Sequence, residues 1–156
     1  MSPRKYLDAA GKLLIQPPSS MRRCWQRGSA CLTRLALEQG LRHYWHQVAP
    51  SVADRPMRHQ LLVLPTFAGA EAASTARTAW HGLSRAMHHH TYELAPTVAE
   101  LHGWHQDVVA LLPQLQRAEP TRLAATALSV SADTKRQHPA DTTPGVTAGD
   151  AGLRGA

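Results

Sequence analysis

The chain has 156 residues, 43% of them apolar but with a single Phe, and a formal charge of +6. That length suits one domain and excludes two substantial ones, and no run approaches the ~20 apolar residues of a spanning helix. Ala, Leu and Val dominate the apolar set, which favours closely packed helices over a sheet faced with β-branched and aromatic side chains.

The charge is concentrated near the N-terminus. Residues 1–42 hold eight Lys and Arg against two acids, while the remainder is balanced. Residues 1–24 therefore read as a basic arm, in which Arg22 and Arg23, with Arg27 just beyond, are the candidate nucleic-acid contacts, acting by release of condensed counterions. The excess of Arg over Lys fits the bias of GC-rich coding sequence equally well. Cys24 and Cys31 are the only cysteines; their spacing matches no common zinc pattern and one bridge is not a disulfide framework. The apolar run Lys12-Leu-Leu-Ile15 is cut off by Pro17 and Pro18, so no secretory signal is evident and the chain reads as cytoplasmic, with reduced thiols.

In chain order, Tyr6, Leu7, Ala10, Leu13 and Leu14 have helical spacing, which predicts a short amphipathic helix over residues 4–15, an appendage to the domain. A long helix is expected over 29–48, with Leu37, Leu41, Tyr44 and Val48 on one face and Pro50 ending it. A short helix over 57–64 follows, its apolar run Leu61–Leu64 leaving a buried strand as the alternative. Ala73, Ala76, Trp80, Leu83 and Met87 form the packing stripe of a helix over 70–89, opposite a basic and polar stripe of Arg77, His81, Arg85 and His88. Thr97-x-x-Glu100 is a capping box opening the next helix, whose apolar face is Leu101, Trp104, Val108, Leu111 and Leu115. From residue 116 the composition offers little to bury, so 116–156 reads as a disordered tail. The expected architecture is all-α: a three- to four-helix bundle over 25–115 between the arm and the tail.

Polar chemistry concentrates at the junction Arg85-Ala-Met-His88-His89-His90-Thr-Tyr92-Glu93. An Arg followed at this spacing by a His, at a helix end in a small bundle, resembles the active-site pattern of HEPN-family ribonucleases. The resemblance implies metal-independent RNA cleavage by a homodimer, with Arg85 on the phosphate, His90 moving the proton, and Tyr92 and Glu93 beside them. The polar residue often seen after that arginine is Ala86 here. Chemically the pairing is coherent, since guanidinium binds phosphate bidentately and imidazole exchanges protons near neutral pH.

Three other readings compete. His88–His90, His102-x-x-His105 and nearby carboxylates offer metal donors, but adjacent histidines on a helix point about 100° apart and no established ligand pattern is present, so neither metal nor cofactor is expected. Pro96-Thr97-Val-Ala-Glu100-Leu101 loosely resembles the start of a helix-turn-helix recognition helix, which implies nucleic-acid binding without catalysis. In the remaining reading, Trp45, Trp80 and Trp104 anchor the core, the junction is a structural polar cluster, and the chain is an interaction or regulatory module with RNA or another protein as partner.

Overall fold

The structure is a computed structural model that describes residues 1–88 and 95–136, with 118–136 as backbone alone. The described residues form six α-helices and no strand: α1 Pro3–Ile15, α2 Trp25–Val48, α3 Pro50–Ala53, α4 Met57–Ala68, α5 Ala70–His88 and α6 Val98–Arg136. The domain is all-α, as composition predicts. None of the described helices is long and apolar enough to cross a membrane.

The central helix is α2, on which α1, α5 and α6 all pack. It begins at Trp25 rather than near Ser29, which is buried inside it and donates from Oγ to the Ala10 carbonyl at 3.3 Å. Its predicted face is confirmed, with Leu37, Leu41 and Tyr44 buried. Trp45 is fully buried as well and meets the rings of Tyr44 and Phe67 edge-on, at centroid distances of 5.3 and 5.2 Å, tying α4 to α2.

The N-terminal segment differs most from expectation. Helix α1 starts with Pro at its first position, where the missing N–H is no loss, and buries Leu7, Ala10 and Leu14 in the common core. It is therefore a member of the bundle, not an appendage. Its apolar stripe matches a groove that α2 and α6 present only when folded, a match that local spacing does not encode.

In α4, Leu61 and Leu64 are buried while Leu62 between them is 70% exposed, which is helical periodicity and removes the strand alternative. The helix runs past Leu64 through Pro65, whose ring costs one internal hydrogen bond. Gln60 is buried before it and donates from Nε2 to the carbonyls of Ala53 and Arg55 at 3.0 and 2.7 Å, fastening the turn that follows α3. Gly69 then links α4 to α5 with φ +91°, a conformation only glycine adopts without strain.

Helix α5 presents Ala72, Ala73, Ala76, Ala79, Gly82, Leu83 and Ala86 to the core. This face of small side chains lets neighbouring helices come close. Opposite Gly82 lies the Trp104 indole of α6, which a Cβ at that position would overlap. Helix α6 carries the predicted face, with Leu101, Val108, Leu111 and Leu115 buried and Trp104 packed at the margin. It continues through the exposed Pro113 to Arg136, so residues 116–136 of the segment expected to be disordered are helical here; residues 137–156 lie outside the described ones.

Candidate functional site

Helix α5 places Arg77, His81, Arg85 and His88 on its exposed side, as the sequence pattern requires, with Arg85 and His88 in the last turn. Of the predicted catalytic set only Arg85 is described; His90, Tyr92 and Glu93 lie outside the described residues. At this helix end Arg85 and His88 stay exposed while Arg27 is committed to structure. Arg27 donates from Nε to the Met87 carbonyl at 3.0 Å, placing a cation at the negative end of α5. Arg22 and Arg23 are exposed beside a short 3₁₀ turn, Ser19–Met21.

A polar seam also joins α2 to α5 through Trp80 of the predicted packing stripe. Glu38 Oε1 accepts from Arg34 Nε at 2.7 Å and from Trp80 Nε1 at 3.1 Å, while the Arg34 guanidinium lies 5.2 Å from the Trp80 ring centre. One carboxylate oxygen thus satisfies an indole that would otherwise be half-buried without a partner, and the cation covers the ring face.

Beyond the junction, the predicted capping box forms in full. Thr97 donates its N–H to Glu100 Oε2 at 2.8 Å and its hydroxyl to the same oxygen at 2.9 Å, and Thr97 Oγ1 accepts from the Glu100 N–H at 3.2 Å. The Thr97 N–H, then its hydroxyl, hold the Glu100 carboxyl below its ordinary pKa, with a smaller pull from the Arg85 charge. A carboxyl lowered on folding stabilises above its unfolded pKa and ceases to do so as pH falls through the folded one. Thr97→Ala is expected to lower stability at pH 7 by about 1 kcal/mol or less. Thermal melts from pH 7 to 3 should show a smaller acid-side loss in this variant than in wild type.

His105, considered from sequence as a metal donor with His102, is instead a core histidine. It is 9% exposed, and its Nε2 lies 3.0 Å from the Leu7 carbonyl. Because a carbonyl only accepts, Nε2 carries the proton. Among the described residues, no group of three or more His, Cys, Asp or Glu is placed to hold a metal ion. The signal for a buried role was available in the spacing, since His105 falls four residues after Leu101 and three before Val108, on the apolar stripe.

A groove of about 780 Å³ lies on another side of the bundle, between the start of α1, the second half of α2 and the middle of α6. Gly40 makes it possible. Leu112 of α6 lies against the bare backbone there, where a Cβ would overlap its side chain, so α6 crosses α2 closely before the groove opens. Leu7, Tyr44 and Leu115 form its nearly closed floor, and Val109 and Leu112 of α6 supply apolar surface that is open to it. The charged and titratable groups of the lining are Arg4, Arg42, His43 and His46 against a single acid, Asp8, all exposed.

Compared with protein-family models, with curated proteins and with solved structures, the chain matches none of them. Sequence reading missed the groove because none of its lining residues belongs to a motif; they converge from three helices.

Proposed function

We propose that this chain is a small, non-catalytic interaction and regulatory module that works by binding a ligand in the groove between α1, α2 and α6. The observation that carries the reading is the groove itself: its volume lies within the range of small-molecule sites, and it combines apolar walls with a few convergent polar groups. The use of Arg27, Arg34, Glu38 and Glu100 as structural partners near the α5 terminus supports it, since these groups are engaged without any substrate.

A second reading, an HEPN-like ribonuclease acting as a homodimer, draws on one observation. Arg85 is exposed on the final turn of α5, immediately before the histidine run, and is open to a phosphate. Incubating the purified protein with a mixed RNA pool, with and without EDTA, separates the two. The binding-module reading expects no cleavage by wild type. EDTA-resistant cleavage that disappears in Arg85→Ala and His90→Ala, both with wild-type melting curves, would overturn it in favour of the nuclease.

A further inference from the structure

We propose that the groove binds an amphipathic anion: a small molecule with a medium-length apolar chain ending in a carboxylate. This rests on the groove being the functional surface and goes further by naming the class of occupant.

Charge decides the head group. Arg4 from α1 and Arg42 from α2 are fixed cations at the rim, and His43 and His46 add capacity for positive charge, with Asp8 the one opposing acid among the lining residues. Neither guanidinium is taken up by an internal salt bridge, since the one ion pair among the described side chains is Arg34–Glu38, so both are open to a carboxylate. The first turn of α1, which has no side-chain cap, brings the positive end of that helix to the same rim.

The small extent of accessible apolar surface decides in favour of a small molecule over a protein segment. Leu7, Tyr44 and Leu115 are 6%, 2% and 2% exposed, so they form a nearly closed floor, and the apolar surface open to an occupant is a narrow strip that includes Val109 and Leu112 of α6. Among the described large apolar side chains that stand exposed, only Val109 lines it; Met1, Ile15, Leu35, Leu62 and Val98 do not. A stable protein interface needs about 800 Å² from each partner with an apolar centre, which one exposed valine does not provide. A flexible apolar chain lying in a groove of about 780 Å³ needs only such a narrow strip.

The test is a titration of the full-length, ¹⁵N-labelled protein with decanoate, decanol and decyltrimethylammonium, followed through amide shifts. Decanoate is expected to move amides within 2–8, 39–46 and 109–116, with decanol at least about tenfold weaker and the ammonium weaker still. Arg4→Ala combined with Arg42→Ala should remove the preference for decanoate over decanol while leaving decanol binding in place. Val109→Trp, which fills the groove from an exposed position, should weaken all binding there. Circular dichroism melts on each variant confirm that these surface changes leave the fold intact.

Equal binding of all three probes in the groove would overturn the anionic class while leaving the groove reading standing. Shifts confined to other surfaces, or none with any probe, would overturn both. Concentration-dependent shifts of the groove amides without added probe would show a second copy covering the groove, which also overturns the small-molecule assignment.

Discussion

Replacing Trp45 by alanine is expected to remove about 3–5 kcal/mol of stability, the usual cost of truncating a buried Trp. Trp45 is fully buried at the point where α2 meets α4, with Tyr44 and Phe67 packed edge-on against it. Its loss would leave a cavity among helices whose other core side chains are mostly Ala and Leu, too small to collapse into it. Against a total of about 5–15 kcal/mol for a domain of ordinary stability, this brings the protein near its unfolding threshold. The melting temperature should fall by on the order of 10–20 °C. Trp45→Phe sharpens the test. The indole Nε1 is buried with no acceptor among the described residues, so the smaller ring discards an unsatisfied donor while keeping most of the packing. It should cost clearly less than alanine. A loss below about 4 °C for Trp45→Ala would show that this aromatic cluster does not hold α4 in place.

The second large effect is expected at Gly82. On helix propensity alone, replacing a mid-helix glycine gains up to about 1 kcal/mol. Here the Trp104 indole occupies the space a Cβ would enter, so the helices must separate or the ring must turn out of its site. Gly82→Val is expected to lose about 2–3 kcal/mol, the upper part of the range for overpacking. Steric conflict predicts a specific rescue: combined with Trp104→Leu, the valine should cost much less than it does alone, a coupling that a double-mutant cycle by chemical denaturation measures directly. A more stable Gly82→Val single variant would mean that α5 and α6 are not held at this distance by the glycine–indole contact.

Both predictions concern features that the chain's pattern did not disclose equally. Trp45 was legible as a core anchor, because a large apolar side chain beside Leu41 and Tyr44 on a long helix has few other places to go. Gly40 and Gly82 were not, since a glycine within a helical stretch reads locally as a weakness, and its use for close approach depends on which residue of another helix stands opposite. The same distinction separates Thr97 from His105. The cap is a four-residue device whose partners are fixed by helix geometry, and it forms as read. The histidine's partner is the Leu7 carbonyl, 98 residues away in sequence.

The candidate sites follow the same division. The exposed stripe containing Arg77, His81, Arg85 and His88 was readable because spacing of three and four places side chains on one helix face. Yet the clustering of histidines in sequence carried no information about the groove, whose lining comes from Ser2–Asp8, Gln39–His46 and Val109–Gln116.

By itself, the sequence determined the all-α class, the apolar faces of α2 and α6, part of that of α5, where Trp80 and Met87 are only partly buried, and the start of α6, because these depend on the 3.6-residue period and on hydrogen bonds between near neighbours. Only the tertiary structure decided that α1 belongs to the bundle, that His105 pairs with the Leu7 carbonyl, and that three helices leave a basic-rimmed groove. Those outcomes depend on how close the helices approach and at what angle they cross, which are set by pairs of faces in contact and are not properties of any one segment.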